Sequence, residues 1–382
     1  MKPSSQPARI MIVAGEASGD HHGAALVRAM RSVTPDLRIQ GIGGAAMAEA
    51  GVDVKVPAEQ LAVVGITEVL TKTTHILRGL SAARRMLRTF RPHLLILIDF
   101  PDFNFQVAAA AKTLNIPILY YISPQIWAWR AGRVHTIGRL VDHMAVILPF
   151  EAEFYRRHRI PVSFVGHPLM DKPIEPGSNR EWSQADSRPV IGLLPGSRDK
   201  EVASHLPALI EAANELRKNL PGARFVVSLA PSVNRQPLGD LLAAIDRSGI
   251  SVDSGSIQAI LAQSHLVVAA SGTVTLEAAI AGTPMIIIYR VSPLSYRLGK
   301  AFIKVDHVGL ANLIAGRRVV PELLQHEVNG SRIADAAYSL LSRPERLAAI
   351  RRQLKMVRKR LGRPGAAQRT AALAFRLMDR RQ

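Results

Sequence analysis

The sequence predicts an α/β protein of two doubly wound halves, each a parallel sheet wrapped by helices, with basic helices at the C-terminus. Short apolar runs of strand length alternate with segments of helical periodicity from Arg9 to Tyr289, the pattern of successive βαβ units. At 382 residues the chain is long for one hydrophobic core, so two domains are expected. A stretch over 171–189, rich in Pro, Ser and charge, separates the strand-bearing halves. The expected organisation is 1–170, a linker at 171–189, a second domain over 190–345, and basic helices over 346–382.

In the first half Arg9–Ala14 reads as a strand, Gly15–Asp20 as a turn, and the following residues to about Ser32 as a helix beginning near His22. A glycine turn after the first strand of such a domain is where ligands often meet backbone. Leu37–Gly44 repeats strand and turn. Over Leu61–Arg91 helical spacing brings Ile66, Val69, Leu70, Leu77, Leu80 and Leu87 near one face, with Lys72, Arg78, Arg84, Arg85, Arg88 and Arg91 supplying charge. Two readings fit: a helix covering a sheet, or an apolar face bordered by cations lying among anionic lipid head groups.

Leu94–Ile98 (LLILI) is a buried strand that runs into Asp99 and Asp102. Carboxylates at the carboxyl end of a parallel strand are placed for acid–base chemistry. Asp102 or Asn104 can instead cap a helix over Phe105–Leu114, so Asp99 is the candidate base and Asp102 the runner-up. The strand Ile116–Ile122 leads to Ser123–Arg130, whose Trp127 and Trp129 either close the core or border an apolar substrate. Strands at His143–Leu148 and Val162–Val165 complete the half.

The second half restarts with the strand Val190–Leu194, the turn Pro195-Gly196-Ser197-Arg198 and an amphipathic helix to about Asn219. An arginine in a glycine turn before a helix suits a diphosphate, through its fork of donors and the helix N-terminus together. Arg224–Ala230, Ile250–Val252, His265–Ala270 and Met285–Tyr289 read as further strands. The most informative stretch is His265–Arg290: a strand, the break Ser271-Gly272-Thr273, a helix over Val274–Ala281 stopped by Gly282 and Pro284, and a strand. Its turn delivers a helix N-terminus, which favours an anion. Thr273 and Thr275 add hydroxyls there, and Glu277, one turn in, has two acceptor oxygens for the paired hydroxyls of a ribose. Close helix–sheet packing and dipole complementarity explain the same residues without a ligand. Beyond Pro293 no strand is expected, and Asn312 stands inside the apolar run Leu310–Ala315.

Forty-nine basic residues against 30 acidic give a net charge of +19, which calls for anionic partners. Aromatics make up only 5% and are not interleaved with the basic runs, so nucleic acid is disfavoured against a membrane surface. The tail from Ser342 carries 13 Lys or Arg against Glu345 and Asp379. There is no cysteine, which removes disulfides and thiolate metal sites. No segment has the length of a signal peptide or membrane span, so an intracellular location is expected.

Seven motifs in order resemble those of the lipid-A-disaccharide synthase family: GEASGD at Gly15–Asp20, VVGITEVL at Val63–Leu70, IDFPDFNF at Ile98–Phe105, SPQIWAWR at Ser123–Arg130, LPFE at Leu148–Glu151, LLPGSR at Leu193–Arg198 and SGTVTLEAAIAGTP at Ser271–Pro284. The resemblance implies two Rossmann-like domains of the GT-B glycosyltransferase type, the nucleotide on the C-terminal one and the acceptor on the N-terminal one. It implies UDP-2,3-diacylglucosamine as donor and 2,3-diacylglucosamine 1-phosphate as acceptor, giving a β-1′,6-linked disaccharide and UDP by an inverting displacement. Asp99 would be the base, with Asp102 behind it. Arg198 and the helix N-terminus after Thr273 would serve the diphosphate, Ser271 would bind substrate or nucleotide, Glu277 would hold the ribose, and Asn312 would lie near the nucleotide. Glu16, Ser18 and Asp20 would border the cleft. Ile66, Val69, Leu70 and Leu77 would touch an anionic membrane at the cytoplasmic face of the inner membrane. No metal or other cofactor is called for, and a homodimer is compatible. The rivals are another GT-B UDP-sugar enzyme, such as a UDP-N-acetylglucosamine 2-epimerase or a lipid-linked N-acetylglucosaminyltransferase, and a non-catalytic basic module.

Overall fold

A computed structural model of the chain describes residues 7–61, 69–129, 131–171, 188–230, 233–234, 236–292, 296 and 306–379. The chain divides into two units, one of Met1–Asp171 with Leu361–Gln382 and one of Lys172–Arg360.

The first unit holds seven strands: β1 (Arg9–Ala14), β2 (Arg38–Gly43), β3 (Asp53–Pro57), β4 (Leu94–Ile98), β5 (Ile118–Tyr121), β6 (His143–Val146) and β7 (Val162–Phe164). They form one parallel sheet in the order β3-β2-β1-β4-β5-β6-β7. Side-chain alternation splits the central strands between two cores. Ile10, Ile12, Leu94, Ile96 and Ile98 pack with the helices Ala17–Val33 and Ala366–Asp379. Met11, Val13, Leu95 and Leu97 pack with Leu80, Leu87, Val107 and Ile137 from the helices on the opposite face. Burial on both faces is why β1 and β4 read as unbroken apolar runs.

The second unit repeats the plan with β8 (Val190–Leu194), β9 (Arg224–Ser228), β10 (Ser251–Asp253), β11 (Leu266–Ala270), β12 (Met285–Tyr289) and β13 (Glu322–Leu324), parallel in the order β10-β9-β8-β11-β12-β13. Strand order reverses between β1 and β4 in one sheet and between β8 and β11 in the other. At such switch points the loops leaving neighbouring strands diverge and open a crevice at the carboxyl edge.

Several sequence-based expectations change. β3 and β13 add to the expected strands: both are short edge strands, β3 alternating exposed and half-buried positions over only 5 residues and β13 having 3. The first helix begins at Ala17, not near His22. The helix after β4 begins at Pro101 behind Phe100, which makes no side-chain cap, so neither Asp102 nor Asn104 is an N-cap. The basic 346–382 segment is divided: Pro344–Arg360 belongs to the second unit, and Ala366–Asp379 packs on the first. Asp171 accepts from Gly365 N at 2.5 Å and Ala366 N at 3.3 Å, and Arg369 Nε donates to Val165 O at 2.8 Å, pinning that last helix.

The Val69–Phe90 helix also departs from the single apolar face expected of it. Leu80 and Leu87 are buried in the core, at 3% and 0% exposure, whereas Leu77 is 58% exposed. Burying two leucines contributes on the order of 2 kcal/mol each, so the sheet-covering reading holds for that face. Ile66 lies outside the described residues. Val69 and Leu70 begin the helix, but their side chains lie outside the description too.

Candidate active site

At the first switch point β1 ends in Gly15-Glu16 and β4 in Asp99-Phe100, with Ala14 paired to Ile98. The backbone there is unusual. Asp99 and Phe100 both adopt left-handed φ, 43° and 49°, and Ile122, just past β5, has φ 63°. Such values are rare outside glycine and are outliers for a β-branched residue. Phe100 lies against Gly15, where a Cβ would stand 2.2 Å from the Phe100 ring. Only glycine admits that approach.

Burial first, then the Glu16 carboxylate, pushes the Asp99 carboxyl from 3.8 up to about 6, against a hydrogen bond with the Phe100 backbone that lowers it. The group is therefore ionised at neutral pH yet basic enough to take a proton. Asp102 sits differently: its side chain is 76% exposed and its Oδ1 lies 2.6 Å from Arg133 Nη2. Glu16 and Ser18 are exposed beside Asp99's edge of the sheet. Asp20 is not; it is buried, with its carboxylate accepting from the backbone N–H of Gly44 (2.7 Å), Ala46 (2.9 Å) and Met47 (3.1 Å). This carboxylate holds the start of the Ala45–Glu49 helix.

One acidic residue at this edge is not among the expected site residues. Glu151, in LPFE, is 1% exposed and accepts from Leu148 N at 3.0 Å and Trp127 Nε1 at 3.1 Å. Burial, followed in the same direction by Asp99, raises it to about 8 against those bonds. Trp127, half-buried, meets Phe150 edge-on at 4.7 Å. The available signal was the quoted motif itself; a carboxylate in a first helical turn otherwise reads as ordinary dipole complementarity.

At the second switch point a cavity of about 310 Å³ is lined by Gly196 and Ser197 after β8, Ser228 at the end of β9, and Ser271, Gly272, Thr273 and Glu277 after β11. The Thr273–Ala281 helix opens here, behind an extended Gly272, so its N-terminal end lies at the cavity edge. Thr275, expected to add a hydroxyl, is buried and donates back to Gly272 O at 2.8 Å. Ser271 Oγ donates to Val308 O at 3.2 Å. Arg198 is 82% exposed and 3.4 Å from Glu201, whose other oxygen accepts from Ser197 N at 3.1 Å. His205 ties the same turn to β12: its Nδ1 lies 2.7 Å from Pro195 O, and Nε2 accepts from Arg290 N at 3.2 Å. Asn312 is outside this cavity. Fully buried, it accepts from Val319 N and Val320 N and donates to Val320 O and Glu322 Oε1. It braces the loop before β13.

A cavity at a helix N-terminus on one doubly wound unit and a perturbed carboxylate on the other are compatible with many sugar-nucleotide enzymes. The choice among them comes from the whole sequence, which matches the family model for lipid-A-disaccharide synthetase over residues 10–376. The chain belongs to the lipid-A-disaccharide synthase family. It is 46% identical over 377 residues to the lipid-A-disaccharide synthase of Geobacter sulfurreducens, covering 97% of this chain and 98% of that one. The fold is shared more widely. The glycotransferase of kitacinnamycin superposes with a TM-score of 0.63 at 18% identity, over 98% and 100% of the two chains. The UDP-GlcNAc 2-epimerase of Neisseria meningitidis bound to UDP-GlcNAc gives 0.59 at 15%, over 97% and 100%. As a lipid-A-disaccharide synthase family member the chain is a glycosyltransferase of lipid A biosynthesis with the GT-B fold.

Proposed function

We propose that the chain transfers 2,3-diacylglucosamine from its UDP derivative to 2,3-diacylglucosamine 1-phosphate, in a single inverting displacement at the donor's anomeric carbon that forms a β-1′,6 linkage and releases UDP. The observation that carries this reading is Asp99: a carboxyl at about 6 at the carboxyl end of a central strand, beside the switch point. It takes the proton from the acceptor 6-hydroxyl as that oxygen bonds to the anomeric carbon. The bond to the diphosphate breaks and its electron pair leaves with UDP. Asp102's exposure and its pairing with Arg133 favour Asp99 over it.

The leaving diphosphate is received by the helix N-terminus at Thr273, the turn around Ser197 and the Arg198 guanidinium, preorganised donors aimed where charge develops. Glu277, lining the same cavity, holds the ribose. Glu16 and Ser18 border the acceptor, while Asp20 and Asn312 act by holding the walls. Among the described residues no helix is long and apolar enough to cross a membrane. Exposed Leu77 shares a concavity with Arg84, Arg85 and Arg88, the combination suited to anionic head groups. The enzyme works from the cytoplasmic face of the inner membrane, on acylated substrates held in the bilayer.

The test uses purified protein in mixed detergent micelles with both lipid substrates, following UDP and disaccharide together. Equimolar products from the wild type, almost none from folded Asp99→Asn, and weakened UDP binding in Glu277→Gln are expected. Well-folded wild type that binds UDP and forms no disaccharide would remove the substrate assignment.

A further inference from the structure

Three left-handed residues, Asp99, Phe100 and Ile122, cluster where β4 and β5 end. Conformations of this kind persist only where their surroundings over-determine them, and they concentrate at working sites. The restraint on Asp99 can be traced atom by atom. Its carbonyl oxygen accepts the Tyr120 hydroxyl at 2.6 Å and Asn104 Nδ2 at 2.6 Å. The same Asn104 nitrogen reaches Ile98 O at 3.2 Å. Asp99 N–H, by contrast, reaches Tyr121 O only at 3.3 Å. Tyr120 and Asn104 are both fully buried, so neither has water as an alternative partner.

Tyr120 follows from the ladder and not from its neighbours in sequence. In β5 it is paired with Leu97 of β4, and the ring spans the residues between to place its hydroxyl at the peptide after the strand. Asn104 reaches the same oxygen from the first turns of the Pro101–Thr113 helix. Two donors on one carbonyl fix the orientation of the Asp99–Phe100 peptide. That orientation sets the backbone from which the Asp99 side chain departs.

We propose that Tyr120, assisted by Asn104, is a positioning residue for catalysis: by donating to the Asp99 carbonyl it holds the left-handed Asp99–Phe100 pair and so fixes where the Asp99 carboxyl points. The proposal rests on Asp99 being the base. Without the hydroxyl, the pair relaxes toward right-handed conformations and the carboxyl turns from its half-buried place beside Glu16 toward water. Burial and Glu16 are what hold the carboxyl above its ordinary value, so the same relaxation lowers it. Tyr120 touches no substrate in this scheme, and substrate affinity is left largely as it was.

The experiment compares wild type, Tyr120→Phe and Asp99→Asn in the micelle assay, measuring kcat, KM and the pH dependence of kcat/KM between pH 5 and 9, with folding checked by circular dichroism. Tyr120→Phe removes only the hydroxyl. Expected are a fall of about tenfold or more in kcat, KM within about twofold, and an acid limb moved to lower pH. An unchanged kcat and acid limb in folded Tyr120→Phe, with Asp99→Asn inactive, would overturn the positioning role and leave the base assignment standing. Near-normal turnover by Asp99→Asn would overturn both. Should Tyr120→Phe not fold, Asn104→Ser withdraws the second donor from the same carbonyl and is read by the same pH profile.

Discussion

Asp99→Asn is expected to stabilise the protein while removing its activity. The carboxyl sits at about 6 where an unrestrained one sits at 3.8, so ionising it is harder in the folded chain than in the unfolded chain. At about 1.4 kcal/mol per pKa unit, the negative charge costs the fold about 3 kcal/mol at neutral pH. Part of the carboxyl meets solvent, and screening reduces this to about 2 kcal/mol. Below 3.8 the group is protonated in both states and costs nothing. Between 3.8 and about 6 the unfolded chain ionises first and the penalty grows; above about 6 it is constant. An amide of the same shape never carries the charge. For domains of this size roughly 2–4 °C accompanies each kcal/mol, so the variant's unfolding midpoint should exceed the wild type's by about 4–8 °C at pH 8 and by almost nothing near pH 4. Calorimetry across that range, with UDP release measured on the same preparations, provides the comparison. Equal midpoints at pH 8, or a gain of the same size at pH 4, would refute the argument that Asp99 is held ionised against its surroundings.

Asp20→Ala strands three backbone donors at the start of the Ala45–Glu49 helix; it should cost about 3 kcal/mol and leave UDP binding unchanged, and lost turnover at an unchanged melting temperature would return Asp20 to the substrate. His205 is held below 6.5, chiefly by burial and then by Arg290, against Pro195 O and Glu201. Its neutral ring therefore contributes stability that is complete above pH 6.5 and lost as pH falls toward the folded value, at up to about 1.4 kcal/mol per pH unit. Melting curves of wild type and His205→Gln between pH 7 and 5 should converge as pH falls; parallel curves would exclude the imidazole as their source.

Much of this protein was legible in one dimension. The runs IMIVA, LLILI and LVVAA had to become buried parallel strands, because unbroken apolarity over five or so residues fits only a strand covered on both faces. Gly272, Gly282 and Pro284 bracket the Thr273–Ala281 helix for local steric reasons, and Gly282 takes the left-handed cap with φ 76°. Asp99 could be singled out because a parallel sheet delivers all its strand ends to one edge. The edge strands β3 and β13 are hard to read because β3 alternates exposed and half-buried residues over only five positions and β13 has three residues, too few for alternation to stand out.

Partnership between distant residues was not readable in this way. Asp20 and Asn312 look like site residues in sequence, yet their polar atoms are taken by backbone groups 24–27 and 7–8 residues away and by Glu322. Leu77 and Leu80 look alike, and only packing against the sheet buries one and exposes the other. Tyr120 carries no local signal and Glu151 only its LPFE motif, because the place of one is defined by the register of β5 on β4 and that of the other by Trp127, 24 residues before it. The sequence by itself determined where strands end and which chemistry stands there, since those depend on local polarity and backbone sterics. Which polar groups are consumed by the fold depends on through-space geometry, and only the tertiary structure decided it.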